Sequence, residues 1–306
     1  MRARVPREAR VRPGARVSRG ALLAPWLALA PALVLVTVLV GVGLGYGVAQ
    51  SVGFQPEIGQ TTPSLEAYRQ LALGEGLAGR EFWGSLAFSL WVSAGSTVLA
   101  SALAVALALW LTERRQAASP SVTFVLNWNL AFPHLVWSVL LLLLLAQSGL
   151  LARWVAALGW IQIPADFPVL VRDRFGIGIL LQYVTKETPF LTLLLLAVLR
   201  AQPGAYGWVA ENLGATRWQR LRLVTLPLIA PALTSGALLV FGFVFSSYEV
   251  PALLGVTYPR MLPVLALRFF NDPDLHARAD GMAISLIVTL FVVGVALVSQ
   301  RRSADA

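Results

Sequence analysis

Six stretches of mainly apolar residues recur along the chain, separated by shorter segments rich in Arg, Gly and Pro. A run of about 20 apolar residues is long enough for a helix to cross the hydrocarbon core of a bilayer. The runs lie at 21–47, 82–111, 121–146, 176–199, 229–250 and 280–299. This pattern predicts an all-α polytopic membrane protein with six transmembrane helices. The first apolar run is longer than the roughly 7–15 residues of a secretory signal, so we expect it to be an uncleaved span.

The composition agrees with a membrane protein. Only 13% of the 306 residues are charged, whereas soluble domains carry about 25%. The net charge of +9 would by itself suggest nucleic acid. The basic residues lie beside the apolar runs, however, so the predicted partner is the lipid bilayer and not nucleic acid. The chain has no Cys, which excludes disulfides, thiolate catalysis and Cys-ligated metals.

The basic residues also predict an orientation. Six spans divide the connecting segments into two sets. The set with the N-terminus, the loop after the second run, residues 200–226 and the C-terminal tail holds 15 of the 24 basic residues, against eight in the other set. The positive-inside rule places the richer set in the cytoplasm. Both termini and the loop 200–226 are therefore predicted to be cytoplasmic.

The loop between the fourth and fifth runs contains the segment ENLGATRWQRLRLVTLPLIAP, Glu211 to Pro231. Gly214 is predicted to separate two short helical pieces, and Leu226-Pro227 to end the second, since proline disfavours helix in the residue before it. Trp218 and Leu221 would share one face, beside Arg217 and Arg220. The pattern from the residues alone leaves two interpretations open. The segment docks into a groove of a soluble partner, or it lies on anionic lipid.

The spacing of this loop resembles the EAA-xxx-G-x9-I-x-L-P pattern of binding-protein-dependent ABC transporter permeases. The glycine is Gly214, nine residues lead to Val224, and the pattern ends with Leu226-Pro227. Trp208 and Val209 depart from the first two positions of the triplet, which puts the role of its glutamate, and of the displaced Glu211, in doubt. The residues that the resemblance assigns to an ATPase-coupling loop are Ala210, Glu211, Gly214, Ala215, Arg217, Trp218, Arg220, Leu221, Val224, Leu226 and Pro227.

The resemblance implies a subunit of an importer in the cell inner (plasma) membrane. It implies two copies of a separate ABC ATPase that bind ATP and Mg, a second permease subunit or a second copy of this chain, and an extracytoplasmic solute-binding protein. This chain has no G-x-x-x-x-G-K-[ST] phosphate loop, so we expect no cofactor and no enzymatic activity here. The implied domains are a basic tail 1–20, a first helix with an outer loop 21–80, a permease core 81–300 and a tail 301–306.

Polar side chains inside the predicted spans are candidates for a translocation pathway, because such groups are costly in a bilayer. Asn127 and His134 are seven residues apart, which would place them on one helix face. Interhelical hydrogen bonding is the alternative. Lys186 and Glu187 are adjacent in the fourth run, so each needs its own partner, unless the span boundary is misplaced. The candidates are Asn127, Asn129, His134, Lys186, Glu187 and Glu249. Glu249 either lies where solute arrives or caps a helix. We expect no metal site.

Two other classes of protein compete with the permease interpretation. A secondary transporter or channel without an ATPase partner would show two inverted halves with broken helices, and no such repeat is evident. An intramembrane enzyme would need a motif such as HExxH or G-x-S-x-G, and the sequence has neither. The connection between the fifth and sixth runs resembles the group of permeases for polyamines, thiamine, ferric iron or small oxyanions. Within that group it favours a spermidine/putrescine-type substrate.

Overall fold

A computed structural model of the chain describes residues 19–114, 119–201, 209–210 and 212–304. Most of the predicted basic tail 1–20 and Glu211 lie outside these residues, as does part of the loop 200–226. The chain divides into two compact units, Met1–Gly47 and Val48–Ala306. In the first unit, helix α1 begins at Arg19, and its described side chains from Leu33 to Leu44 are exposed. The second unit contains every candidate site residue.

The elements that the structure describes are helical. The bounds of the helices are α1 Arg19–Ser51, α2 Glu66–Leu73, α3 Gly76–Glu113, α4 Pro120–Ala131, α5 His134–Leu145, α6 Leu150–Ala157, α7 Ile177–Ala201, α8 Arg217–Arg220, α9 Leu226–Ser246, α10 Glu249–Leu254, α11 Leu262–Phe270 and α12 Ala277–Ala304. Leu221–Thr225 forms a π-helix between α8 and α9. Short 3₁₀ helices lie at Pro56–Ile58 and Pro164–Asp166.

The predicted number of spans is confirmed, with different bounds. Within the described ranges, six helical stretches are long and apolar enough to cross a membrane. They are Ala28–Ser51, Gly76–Glu113, His134–Ala157, Ile177–Ala201, Arg217–Ser246 and Ala277–Gln300. The largest differences from the sequence-based bounds fall in the third and fifth runs. In each run the difference involves a proline.

The third apolar run, 121–146, is not one helix. It forms α4 and α5, each of 12 residues, with extended backbone at Phe132 and Pro133 between them. Proline has no N–H and its ring clashes with the preceding turn, so it breaks a helix in mid-run. At 1.5 Å per residue, each half is only about 18 Å long. The break therefore lies well inside the predicted span.

The predicted helix stop at Leu226-Pro227 is wrong. The helix continues from Arg217 through the π-turn to Ser246. The Leu226 N–H bonds to the Leu221 carbonyl, five residues back, and this wider turn makes room for a proline that an unbroken α-helix would not accept. Pro227 is the second residue of α9 and follows directly after this wider turn.

Two clusters of buried apolar side chains hold the second unit together. The larger one joins α3, α5, α7 and α9, with Val92, Tyr183, Leu191 and Val240 near its centre. The smaller one joins α2, α3, α11 and α12. Helix α11, in the stretch 260–278 that is too short and too charged to span, buries Leu262, Leu265, Ala266 and Phe269 in this cluster. The helices that carry the candidate residues thus sit on a packed scaffold.

Asp173 caps the start of α7, and its removal should destabilise this helix. Its carboxylate accepts hydrogen bonds from the Phe175 N–H at 2.8 Å and the Ile177 N–H at 2.7 Å. Asp173→Ala should lower stability by about 1 kcal/mol, the usual cost of losing such a cap. The measurement is the thermal unfolding midpoint in detergent. Asp173→Asn, which keeps one acceptor, should lose less, and equal midpoints for the Ala variant and the wild type would contradict the assignment.

Candidate functional site: the Gly214 loop and a cavity at a helix break

The loop between the fourth and fifth spans contains a sharp junction at Gly214. Residues 209–210 and 212 are helical, and the Leu213 N–H donates to the Val209 carbonyl at 3.0 Å. The Ala215 N–H then reaches back to the Ala210 carbonyl at 2.9 Å. Gly214 has φ +77°, the left-handed conformation that closes helix ends and that glycine adopts without strain. The predicted break at Gly214 is confirmed.

The second helical piece starts two residues after Gly214. Thr216 and Gln219 form a capping box: the Gln219 N–H donates to Thr216 Oγ1 at 3.3 Å, and the Thr216 N–H donates to Gln219 Oε1 at 2.8 Å. This reciprocal arrangement satisfies two backbone donors that a helix start would leave unpaired. The junction from Gly214 to Thr216 is therefore a defined turn between two helices.

Large apolar side chains of this loop are exposed. Leu213 is 81% exposed and Trp218 is 65% exposed, and we refer to this pair as the loop anchors. Arg217 beside them and Pro227 are also exposed. The remaining predicted side chains of the loop that the structure describes are half-buried; they are Ala210, Ala215, Arg220, Leu221, Val224 and Leu226. Exposed apolar side chains at a turn defined by hydrogen bonds are compatible with a surface that binds a partner.

The second candidate site is a cavity of about 500 Å³ at the α4–α5 break. Its volume is within the range of small-molecule sites. The wall is formed by the break itself, by α7 and by α9. The lining residues are Leu130, Ala131, Phe132, Pro133, His134, Lys186, Glu187, Phe190, Leu239, Val240 and Phe243. Most are apolar, and three of the predicted pathway candidates lie among them.

Glu187 and His134 form a hydrogen-bonded pair at the wall of this cavity. His134 Nε2 lies 3.0 Å from Glu187 Oε1, within hydrogen-bond distance, and an ionised carboxylate there would accept a proton from Nε2. The His134 side chain is 32% exposed and that of Glu187 only 10%. The imidazole also packs on the Phe243 ring, with 4.9 Å between centroids. A carboxylate is thus held at the cavity wall by one partner, surrounded by aromatic rings.

Lys186 points to a different partner. Its Nζ donates to the Asn129 carbonyl at 2.6 Å and to the Phe132 carbonyl at 2.7 Å. Both oxygens belong to the C-terminal end of α4. The expectation that Lys186 and Glu187 need separate partners is confirmed, and both residues are buried within α7, so a misplaced span boundary does not explain them.

The predicted common face of Asn127 and His134 is wrong. The helix breaks between them at Phe132-Pro133, so a spacing of seven residues no longer corresponds to two helical turns. The Asn127 amide instead donates to the Thr123 carbonyl within α4 at 2.8 Å. Asn129 meets Lys186 through its backbone carbonyl. The structure therefore brings together His134, Lys186, Glu187 and the Asn129 backbone, but not the Asn127 side chain.

Glu249 lies away from the apolar body of the fifth span. Helix α9 ends at Ser246, and Glu249 is the exposed first residue of the separate helix α10. An acidic side chain in the first turn of a helix is favourable beside its N–H groups. The predicted fifth run, 229–250, thus ends four residues too late.

Sequence reasoning missed three residues that hold the break through two hydrogen bonds. The Gln182 amide donates to the His134 carbonyl at 3.2 Å, and the Trp137 indole donates to Thr185 Oγ1 at 3.0 Å. Gln182 lies three residues from Thr185 and four from Lys186, so the three form a polar stripe along one side of α7. The sequence signal for these contacts was the polar stripe within an apolar run. A second signal was the Phe-Pro in the preceding run, which marks the break that the stripe contacts.

Comparison with known proteins adds the identity of the family. Residues 70–303 match the family described as "Binding-protein-dependent transport system inner membrane component". The chain belongs to this family. Its members are membrane components of transporters, so the expectation that the chain is a non-enzymatic permease component of the inner membrane is confirmed.

The names of individual relatives of this permease refer to different solutes, or to none. It is 32% identical to the inner membrane ABC transporter permease protein YnjC of Escherichia coli over 65% of this chain, but it covers only 36% of YnjC. It is 30% identical to the molybdenum transport system permease protein ModB of Mycobacterium bovis, over 69% of this chain and 77% of ModB. It is 29% identical to the thiamine transport system permease protein ThiP of E. coli, over 72% of this chain and 40% of ThiP.

A solved structure shows the same fold. The crystal structure of a bacterial ABC transporter involved in the import of the acidic polysaccharide alginate contains a chain that superposes with a TM-score of 0.71. The match covers 93% of this permease and 97% of that chain, at 17% sequence identity. The fold of this permease is therefore shared with a chain of a solved ABC transporter.

Proposed function

We propose that this chain is the membrane permease subunit of an ATP-driven importer, that it forms half of the solute pathway, and that it couples to a separate ATPase through the Gly214 loop. The observation that carries the coupling role is the left-handed turn at Gly214 between two exposed apolar anchors, Leu213 and Trp218. A short helical segment with exposed apolar anchors can insert into a groove of a partner.

The proposed assembly contains two copies of the ATPase, which bind ATP and Mg, together with a second permease subunit or a second copy of this chain. An extracytoplasmic solute-binding protein would deliver the solute. A related complex supports that partner, because the alginate transporter was solved with an alginate pentasaccharide-bound periplasmic protein. Both termini and the Gly214 loop would face the cytoplasm, as the distribution of basic residues indicates.

The cavity at the α4–α5 break is the proposed stretch of the solute pathway. Its surface combines aromatic rings, Phe132, Phe190 and Phe243, with the carboxylate of Glu187. This lining suits a solute with an apolar body and a cationic group, and we propose a polyamine of the spermidine/putrescine type. A carboxylate and aromatic faces both attract ammonium groups. Glu249, exposed at the start of α10, is a second proposed contact for the cation.

Co-purification tests the assembly, and uptake tests the substrate. The tagged chain, expressed in its own host and extracted in mild detergent, should bring down an ATPase and either a second permease or a second copy of itself. Proteoliposomes with the complex should take up spermidine when ATP is inside the vesicles and the binding protein is outside. Isolation of the chain without an ATPase would favour the secondary-transporter alternative, and uptake of molybdate or thiamine but not spermidine would overturn the substrate.

Gly214 should tolerate only residues that adopt a left-handed backbone. A Cβ at this position would meet nothing within 4 Å, so bulk is not the obstacle; the φ of +77° is. Gly214→Val should distort the turn, at a cost of at least about 1–2 kcal/mol, and reduce transport-coupled ATP hydrolysis. Gly214→Asn, which accepts this conformation more readily, is the matched control. Equal coupling in both variants would contradict the role of the turn.

A further inference from the structure

We infer that Lys186 is a positioning residue that holds the α4–α5 break against α7, and that it does not contact solute. Its importance for transport rests on the proposed function, whereas its hold on the break is a property of the fold. Lys186 is the one lysine of the chain. Its ammonium is buried in mid-span beside the cavity, where binding of solute would otherwise be the first role to expect.

The chemistry of Pro133 explains why a lysine is needed. In an unbroken helix the Asn129 carbonyl would accept a hydrogen bond from the N–H of residue 133, four residues later. Pro133 has no N–H. Lys186 Nζ takes that place at 2.6 Å, and it also reaches the Phe132 carbonyl at 2.7 Å. Carbonyls without a hydrogen-bond donor are costly in a bilayer, and the C-terminal end of a helix attracts a positive charge.

Neighbouring residues of α7 extend this hold to the other side of the break. Gln182 donates to the His134 carbonyl, Thr185 accepts from the Trp137 indole, and Glu187 accepts from the His134 ring. Lys186 holds the end of α4, while the other three hold the start of α5. Together they form what we call the α7 clasp: Gln182, Thr185, Lys186 and Glu187. The clasp fixes both half-helices to one element.

The hydrogen bonds of Lys186, together with its burial, favour positioning over solute contact. Lys186 is only 2% exposed, and its ammonium group donates to two carbonyl oxygens. The residues on which it acts, from Asn129 to Phe132, lead directly into the cavity wall. Lys186 is one of the residues at the cavity wall, but its ammonium is already bonded to these two carbonyls. Loss of the lysine should therefore act by shifting the wall.

The test uses the complete transporter with Lys186→Met, Lys186→Arg, Pro133→Ala and the double variant Lys186→Met/Pro133→Ala. Lys186→Met should lower the thermal unfolding midpoint and abolish transport. Lys186→Arg should retain most of both, because a guanidinium also donates to two carbonyls. Within the described residues, besides Lys186, the Asn129 carbonyl accepts only a long hydrogen bond, 3.4 Å, from the Phe132 N–H. In the double variant, the alanine that replaces Pro133 restores the N–H donor of residue 133, so the midpoint should rise back towards that of Pro133→Ala alone. Transport should stay lost, because the break that shapes the cavity is gone.

The two readouts separate this inference from the proposed function. A wild-type midpoint for Lys186→Met, or no recovery of the midpoint in the double variant, would overturn the positioning role. An unchanged midpoint with only a higher half-saturating solute concentration would show that Lys186 contacts solute instead. If the wild-type complex transports nothing and binds no ATPase, the proposed function fails, yet the midpoints still decide whether Lys186 holds the break.

Discussion

Leu213→Asp is expected to weaken association with the ATPase strongly while leaving the permease folded. Leu213 is 81% exposed and follows the last helical turn before Gly214, so its replacement breaks no internal packing. Apolar anchors at the centre of an interface each contribute about 2 kcal/mol or more, and a carboxylate in their place leaves a buried charge without a partner. Binding should weaken by about 30-fold or more. The measurement is ATPase recovery on the tagged permease.

Two further variants test whether the effect is specific to the loop anchors. Trp218→Ala removes the other anchor and should weaken binding in the same way. Leu65→Asp places the same charge on a side chain of similar exposure, 67%, before α2 and far along the chain from the loop. It should leave ATPase recovery unchanged. If all three variants recover the ATPase as well as the wild type, the loop does not dock, and the alternative of a helix lying on lipid becomes the better account.

The features that could be predicted correctly from the sequence are those that one residue or one local composition decides. Gly214 is such a case, since a glycine between two helical pieces indicates a left-handed turn, and the structure has one. The number of spans is another, because length and apolar composition are sufficient to identify them. Lys186 and Glu187 were predicted to have different partners, since adjacent helical residues do not face each other, but local sequence offers no means of naming those partners.

Prolines account for the main errors, because the outcome at a proline depends on the tertiary surroundings. Pro133 breaks its helix, where α7 supplies a lysine for the orphaned carbonyls. Pro227 does not end its helix, because the preceding π-turn from Leu221 to Thr225 accommodates it. The same residue type thus gives opposite results. Which result occurs depends on hydrogen bonds between segments distant in sequence in the first case, and on a local change of helical register in the second.

The charge of Glu187, and not only its hydrogen bond, should be required for uptake of a cationic solute. Glu187→Gln keeps an oxygen that accepts from His134 Nε2, so the pair that now measures 3.0 Å and the α7 clasp should survive. What disappears is the negative charge at the wall of the cavity. A hydrogen bond to a charged group contributes about 1.5–3 kcal/mol, so spermidine uptake should fall roughly 10- to 150-fold. The measurement is the initial rate of labelled spermidine uptake into proteoliposomes.

The control for this prediction is Glu57→Gln, which neutralises an exposed carboxylate in the 3₁₀ helix Pro56–Ile58 and should leave uptake unchanged. The unfolding midpoint of Glu187→Gln should match that of the wild type, which separates loss of charge from loss of fold. Glu187→Leu should lose both, because it leaves His134 without its partner in the apolar interior. Undiminished spermidine uptake by Glu187→Gln would show that this carboxylate serves only to hold the helix break, and that solute selectivity lies with the binding protein or with the other half of the pathway.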